Sequence, residues 1–142
     1  MIPPALDTQL HPAFRNAAKA FWVAAEADGL DLVLVTTWRD PAVQAKLYAQ
    51  GRTEPGKIVT WAKPGQSAHN VTRGGQPASC AIDVAPRHVL RFKDWLPADP
   101  AWASIGEVVE RIQGLEWGGT WPGRKNDQPH IQLRNWKTIT EV

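Results

Sequence analysis

The sequence is poor in cysteine and has no long apolar run. It contains one cysteine, Cys80, among 142 residues, so an internal disulfide and a zinc site built from cysteine pairs are both excluded. Cys80 precedes the apolar pair Ala81-Ile82, a setting typical of a buried structural thiol. The longest apolar stretch is far short of the ~20 residues that a membrane-spanning helix needs. We therefore expect neither a disulfide-stabilised scaffold nor membrane insertion.

The chain as a whole has no large excess of positive or negative charge. Its 16 basic and 14 acidic side chains give a formal net charge of +2. This is too small to predict a nucleic-acid partner, for which clustered Lys and Arg would be expected. Residues 52–93 differ, because they carry seven basic but two acidic side chains. This local excess favours a polyanionic surface as a target.

The N-terminus lacks the pattern of a secretory signal peptide. Residues 1–7 read MIPPALD, with no basic n-region, two early prolines and an acid where an apolar h-region would run. We therefore expect synthesis to end in the cytoplasm. No repeat, low-complexity tract or long linker divides the chain, so a single domain is predicted over residues 1–142.

The apolar pattern predicts an alternation of helices and strands. Apolar residues at helical spacing, bounded by capping residues and glycines, mark three predicted helices at 12–27, 41–50 and 100–112. Short β-branched or alternating runs between turn residues mark predicted strands at 32–37, 58–60, 81–85 and 129–133. Trp117-Gly118-Gly119 predicts a turn. This order of elements predicts an α+β fold with a small, mostly antiparallel sheet flanked by about three helices.

Three polar residues interrupt the apolar pattern in or beside the predicted strands. They are His69 in the segment SAHN, Asp83 in the apolar strand AIDVA, and His130 in DQPHI. An ionised carboxylate in an apolar strand is costly unless a cation or hydrogen-bond donors meet it. Two imidazoles and a carboxylate suit zinc, and three protein ligands leave a fourth position for water, as in catalytic sites. By residue type alone, a lone strand aspartate is more often a satisfied structural acid, and a histidine near a turn is more often a surface or core residue.

Four segments resemble one enzyme family, in that family's order. They are TWRDPAVQAKLYAQGRT at 37–53, SAHN at 67–70 with AID at 81–83, EWGGTW at 116–121, and DQPHIQ at 127–132. These segments are similar to the peptidoglycan L-alanyl-D-glutamate peptidases found as phage endolysins. That subgroup belongs to the zinc D-alanyl-D-alanine carboxypeptidases and dipeptidases (peptidase M15, VanY-like). The resemblance implies their single-domain fold, which is Hedgehog-like.

The resemblance also implies roles for individual residues. The implied zinc ligands are His69, Asp83 and His130. Asp127 would be the catalytic acid/base, taking a proton from a zinc-activated water and delivering one to the departing amine. Glu116 is the rival base. Arg39 would contact the scissile carbonyl and hold the developing oxyanion, although a structural ion pair is the alternative for this residue.

One spacing departs from the family's pattern. Thirteen residues separate His69 from Asp83, where the family usually has six. The extra residues include the turn-forming run at 73–77, so we expect a longer loop that leaves both ligand-bearing ends in place. Ser67 precedes His69 by two residues, and it is interpreted as a substrate-binding residue, as a support for the ligand, or as a plain loop hydroxyl.

Five of the eight tryptophans fall into two groups. Trp22 and Trp102 lie in helical apolar patterns and are expected in the core. Trp117 and Trp121 are predicted substrate-binding residues, and Trp61 lies in a loop beside the same site. Their flat rings could line a groove for a peptide stem or a sugar, although packing is an equally good interpretation.

Together these features predict a zinc-dependent endopeptidase that cuts the peptide stem of peptidoglycan at the L-alanyl-D-glutamate bond. The implied setting is a monomeric phage or prophage endolysin without a separate cell-wall-binding domain. It would be located in the host cytoplasm and would need a separate holin to reach the wall. The alternatives are a D,D-carboxypeptidase or dipeptidase, which would release D-alanine, and a non-catalytic wall-binding module.

Overall fold

A computed structural model describes residues 1–140. They form six α-helices: α1 (Ala5–Thr8), α2 (Pro12–Ala27), α3 (Pro41–Ala49), α4 (Arg87–Phe92), α5 (Pro100–Arg111) and α6 (Trp136–Thr140). The three predicted helices correspond to α2, α3 and α5. The other three have only four to six residues, too few for an amphipathic period to show in the sequence. None of the helices in this part of the chain is long and apolar enough to cross a membrane.

The three longer helices begin with the same local device. Each has proline in its first turn, where the missing N–H costs no hydrogen bond. The preceding residues His11, Asp40 and Asp99 each accept a hydrogen bond from the backbone N–H two residues further on. These caps explain why the beginnings of the helices are readable from the sequence.

Four strands form the main sheet, in the order β1-β4-β6-β5. They are β1 (Leu32–Thr36), β4 (Ala81–Pro86), β5 (Leu115–Trp117) and β6 (His130–Leu133). All neighbouring pairs are antiparallel, so the predicted α+β fold with a small antiparallel sheet is confirmed. The remaining strands, β2 (Thr72–Arg73) and β3 (Gln76–Pro77), form a separate hairpin.

Two predictions of local structure were wrong. Residues 58–60 form no strand, and Ile58 and Val59 are 42% and 56% exposed, so this β-branched run has no sheet to join. Trp117 ends β5 instead of opening a turn, and a 3-10 turn follows at Gly118–Thr120. A three-residue strand is too short to show alternation in the sequence, and it exists because β6 offers it a partner.

The insertion between His69 and Asp83 is the exposed β2-β3 hairpin. Gly74 and Gly75 at its tip have φ angles of +58° and +77°, which a two-residue turn of this hand requires and glycine adopts without strain. The chain therefore leaves the site and returns to it over a short distance. As expected from the sequence, the extra length is absorbed outside the sheet.

One hydrophobic core of the described residues lies between the sheet and the helices α2 and α5. It contains Trp102 and Trp22, which are 2% and 6% exposed, as predicted. Cys80 is fully buried, and burial raises the pKa of its thiol to about 12. The thiol is therefore protonated at neutral pH and serves packing, as the sequence indicates.

Candidate metal centre and active site

His69 lies on a 3-10 turn at 68–70 that is held from both ends. The hydroxyl of Ser67 accepts a hydrogen bond from the backbone N–H of His69 at 3.2 Å. On the imidazole, Nδ1 lies 2.7 Å from the carbonyl oxygen of Thr37. Because a carbonyl can only accept, Nδ1 carries the proton and Nε2 presents a lone pair towards Asp83. Ser67 thus supports the turn that carries His69, and its contact with substrate stays a prediction.

Asp83 and His130 are brought together by the register of the sheet. They are direct partners on the antiparallel strands β4 and β6, so their side chains leave the same face. His130 is 7% exposed, and its Nε2 lies 2.8 Å from Oε1 of Gln132. This contact leaves Nδ1 of His130 to face Asp83.

Three electron-pair donors converge between these residues. Oδ1 of Asp83 lies 3.3 Å from Nε2 of His69 and 3.4 Å from Nδ1 of His130, and all three atoms lie within 4.8 Å of one another. Within residues 1–140, neither His69 Nε2 nor Asp83 Oδ1 has a hydrogen-bond partner, although both are buried. Ligand atoms about 2.0–2.1 Å from one tetrahedral zinc lie about 3.3–3.4 Å apart. The cluster therefore fits a zinc ion, which would satisfy both orphaned atoms.

The charges at this cluster shift its pKa values in opposite directions. Burial disfavours the charge on Asp83, but the adjacent imidazoles of His130 and His69 outweigh it and hold the pKa of this carboxyl well below its usual range. Burial also disfavours a charged His130, but the Asp83 carboxylate outweighs it and raises the pKa of that imidazole. Asp83 is thus ionised at neutral pH, as a metal ligand must be.

Asp127 flanks the cluster on its solvent side. Its Oδ2 lies 3.9 Å from Nδ1 of His130, and its side chain is 50% exposed. Partial burial of this carboxyl raises its pKa, and the negative charge of Asp83 adds to the shift. Asp127 therefore lies beside the converging donors without being one of them. This arrangement suits a proton acceptor for a water held between them, which is the role the sequence predicted.

Gly118 fixes the position of Asp127. Its carbonyl accepts a hydrogen bond from the backbone N–H of Asp127 at 2.9 Å. A Cβ added at Gly118 would lie 2.3 Å from the carbonyl oxygen of Asp127 and 3.1 Å from Cβ of His130. No side chain can be accommodated here unless the segment that carries the carboxylate moves.

We expect Gly118→Ala to lower kcat/KM by about 10²-fold, because a shift of about 1 Å in a catalytic group has an effect of that size. The measurement is steady-state hydrolysis of peptidoglycan, the substrate that the sequence resemblance implies, by purified wild type and variant. Gly29→Ala is the control, because Gly29 has a φ of +80° but open space around its Cβ. Gly29→Ala therefore strains the backbone at a position far from the site. Equal activity of Gly118→Ala and wild type would contradict the tight approach.

Arg39 lies on the other side of Asp83. One guanidinium nitrogen is 3.6 Å from Oδ2 of Asp83, and the other donates to Oε1 of Gln44 at 3.0 Å. The backbone N–H of Arg39 donates to the carbonyl of His69 at 2.9 Å, so this segment also anchors the ligand-bearing turn. The ion pair that the sequence left open is present. Contact with a scissile carbonyl stays a prediction.

Glu116, the rival base, is held by hydrogen bonds on the side of His130 that faces away from Asp83. Its Oε2 accepts hydrogen bonds from Nε1 of Trp121 at 2.9 Å and from Nε2 of Gln132 at 3.2 Å. The Trp121 ring lies 5.1 Å from the His130 ring, centroid to centroid. Both donors hold Glu116 behind the imidazole, whereas Asp127 lies beside the lone pairs. The geometry favours Asp127 as the base.

Trp117 and Trp61, the other two tryptophans of the predicted groove, differ in their surroundings. A Cβ added at Gly119 would lie 2.2 Å from the Trp117 ring, and the Trp117 indole donates to the carbonyl of Gln128 at 2.7 Å. Trp117 therefore packs under the loop that carries Asp127, and its contact with substrate stays a prediction. Trp61 is 46% exposed and its indole donates to the carbonyl of Arg124 at 3.4 Å.

Sequence reasoning missed two glutamines at the site. Gln44 is fully buried and joins Arg39 to the carbonyl of Ala62, to which it donates at 2.8 Å. Nothing in the local pattern of α3 marks it. Gln132 had a signal, because it follows His130 by two residues on a strand and so shares its face.

The chain was compared with families and known proteins. Residues 61–133 match a peptidase M15 family model described as D-alanyl-D-alanine carboxypeptidase. The chain is also 32% identical over 128 residues to the peptidoglycan L-alanyl-D-glutamate endopeptidase CwlK of Bacillus subtilis (strain 168), covering 90% of this chain and 75% of CwlK. The span matched by the family model contains all three converging residues and Asp127.

Solved structures share the fold. The L-Ala D-Glu endopeptidase ChiX of Serratia marcescens superposes with a TM-score of 0.57 at 19% identity, covering 94% of this chain and 86% of ChiX. The LD-carboxypeptidase LdcB superposes with a TM-score of 0.59 at 16% identity, covering 93% of this chain and 64% of LdcB. The family match, the similarity to CwlK and the His-Asp-His cluster identify the chain as a hydrolase that belongs to the M15 family of zinc peptidases.

Proposed function

We propose that this chain is a zinc-dependent endopeptidase that hydrolyses the L-alanyl-D-glutamate bond in the peptide stem of bacterial peptidoglycan. The convergence of lone pairs from His69, Asp83 and His130 beside the carboxylate of Asp127 supports this function most directly. The names of CwlK and ChiX describe enzymes that cut this bond. The three converging residues would hold the metal.

The residues around the cluster divide the chemistry between them. A zinc ion held by the three converging residues would lower the pKa of a water to about 7. Asp127 would accept a proton through its carboxylate as the water oxygen bonds to the scissile carbon, and would return it to the amine that leaves when the peptide bond breaks. Arg39, held by Gln44, donates to the oxygen of the scissile carbonyl as negative charge develops on it. Substrate contacts are assigned to Ser67, Trp117 and Trp121.

The products of digestion test this function. Purified peptidoglycan is incubated with the enzyme, with and without a chelator, and the released fragments are analysed by mass spectrometry. We expect new N-terminal D-glutamate on stem fragments, formed in the absence of chelator only. Cleavage that is unaffected by metal removal would contradict zinc dependence.

A carboxypeptidase is the second candidate. It is favoured by the description of the matching family and by the fold shared with LdcB. The same digestion separates the two functions, because a D,D-carboxypeptidase or dipeptidase releases D-alanine and leaves the L-alanyl-D-glutamate bond intact. Binding to peptidoglycan without any cleavage product would instead favour a non-catalytic wall-binding module.

We further propose that the protein acts as a monomeric phage or prophage endolysin in host lysis. It would accumulate in the host cytoplasm and reach the wall through a holin. The endolysin-like segments EWGGTW and DQPHIQ support this setting. Expression in a bacterial host with and without a holin tests it, because lysis should require both proteins. Lysis without the holin would contradict this route.

Activity is expected to fall as the pH is lowered. Protons compete with the metal for Nδ1 of His130, and the neighbouring Asp83 carboxylate raises the pKa of this imidazole despite its burial. Metal affinity therefore begins to fall at a higher pH than for an ordinary imidazole with a pKa of about 6.5. The raised pKa of Asp127 acts in the same direction, because its basic form is lost on acidification. Zinc competition titrations and kcat/KM across pH 4–9 measure this, and a flat profile would contradict it.

A further inference from the structure

A chain of hydrogen bonds leads from His130 away from the metal centre. Nε2 of His130 lies 2.8 Å from Oε1 of Gln132, and Nε2 of Gln132 donates to Oε2 of Glu116 at 3.2 Å. The indole of Trp121 donates to the same oxygen at 2.9 Å. Gln132 and Glu116 are direct partners on β6 and β5. The register of β5 and β6 therefore places Glu116 beside Gln132, just as the register of β4 and β6 places Asp83 beside His130.

The chemistry of the groups allows this chain only one polarity. A carboxylate can only accept, so Glu116 requires the amide nitrogen of Gln132 to face it. The amide oxygen of Gln132 must then face His130, and it can only accept. Nε2 of His130 is consequently the protonated nitrogen, and Nδ1 is left with a lone pair. A reversed amide would point an oxygen at the carboxylate of Glu116 and lose that hydrogen bond, while its N–H group would favour the other tautomer of His130.

The two histidines are oriented by different kinds of partner. His69 donates to the backbone carbonyl of Thr37, which has no alternative orientation. His130 depends on a side-chain amide that can rotate by 180°. Only the carboxylate behind that amide removes the second orientation, so the His130 side of the cluster needs support that the His69 side does not.

We propose that Gln132 and Glu116 are positioning residues that hold His130 in the tautomer that presents Nδ1 to the metal. The proposal rests on the proposed function, in which His130 is a zinc ligand. It assigns Glu116 a role that is not proton transfer. It also explains why the carboxylate is covered by Trp121, whose indole supplies a second donor that keeps it in place.

Zinc affinity of the purified protein, measured by competition with a chromophoric chelator, tests the first link. Gln132→Leu removes the acceptor of the His130 proton, and we expect zinc to bind about 10–100-fold more weakly, the usual effect of losing such a partner. Gln128→Leu is the matched control, because this amide donates to the carbonyl of Pro97 and touches neither histidine. Its zinc affinity should stay within about twofold of wild type. Equal affinity of Gln132→Leu and wild type would overturn the proposal.

Glu116→Leu tests the second link, because leucine has a similar size but cannot accept a hydrogen bond. Without an acceptor for its N–H group, the Gln132 amide can take either orientation, so we expect zinc affinity to fall by about tenfold. Glu110→Gln controls for the change in net charge, because Glu110 is exposed on α5. A similar loss in both variants would overturn the proposal in favour of a long-range charge effect.

Rescue separates positioning from simple damage. Gln132→Glu added to Glu116→Leu places a carboxylate against His130, which can only accept and therefore needs no partner behind it to fix its polarity. We expect the double variant to recover most of the zinc affinity that Glu116→Leu loses. Failure to recover would overturn the proposal. If wild type itself binds no zinc, the proposed function fails instead, so the two failures are distinguishable.

Discussion

Replacing Asp127 with alanine is expected to lower kcat by about 10²–10⁴-fold, the usual contribution of a general acid/base. Bound zinc should remain at one ion per chain, because Asp127 is not among the three converging donors and its carboxylate lies 3.9 Å from Nδ1 of His130. The measurements are the initial rate of stem cleavage with purified peptidoglycan and the metal content of the same preparation. An inactive variant that still binds zinc would thus separate binding of the metal from proton transfer by Asp127.

Asp127→Asn is the companion variant, because it keeps the shape of the side chain and removes only its capacity to take a proton. It should be as inactive as Asp127→Ala. If either variant keeps activity within tenfold of wild type, the base lies elsewhere, and Glu116 becomes the candidate despite its two donors. Loss of zinc from both variants would instead make Asp127 a ligand.

Local chemistry explains which parts of the fold were predictable. The cap at Asp40, the proline that follows it and the apolar run of β4 act over a few residues, so a sequence displays them. β5 is different, because its three residues are a strand only beside β6. The run at 58–60 has strand-like residues, yet no sheet edge accepts it, and its side chains stay exposed.

The candidate site was predictable in its residue types but not in its supports. Residue types alone left the metal site open, and the resemblance to a family selected His69, Asp83 and His130. Their convergence depends on long-range register, since Asp83 pairs directly with His130 across two strands. The fully buried Gln44 has no local signal, because its partners at Arg39 and Ala62 are assembled only in the fold.

Asp83→Asn is expected to abolish zinc binding and to bring hydrolysis below detection. The amide keeps the size of the side chain but removes the charge that lies 3.3 and 3.4 Å from the two imidazole nitrogens. In wild type, zinc at 100 times its Kd adds about 2.7 kcal/mol to the free energy of unfolding. For a chain of this length, that corresponds to a rise in Tm of about 5–10 °C. The variant should show no rise.

Thermal unfolding with and without added zinc separates loss of the metal from loss of the fold. Asp83→Asn should unfold at a lower temperature than metal-free wild type prepared with a chelator, because the amide keeps the packing around β4 but loses the ion pairs with His130 and Arg39. His69→Ala should also lose the zinc-dependent rise. It should likewise unfold at a lower temperature than metal-free wild type, because it leaves a cavity at a side chain that is 2% exposed. A zinc-dependent rise in Asp83→Asn as large as that of wild type would mean that this carboxylate is not a ligand, and that its low pKa serves only its pairing with the histidines and Arg39.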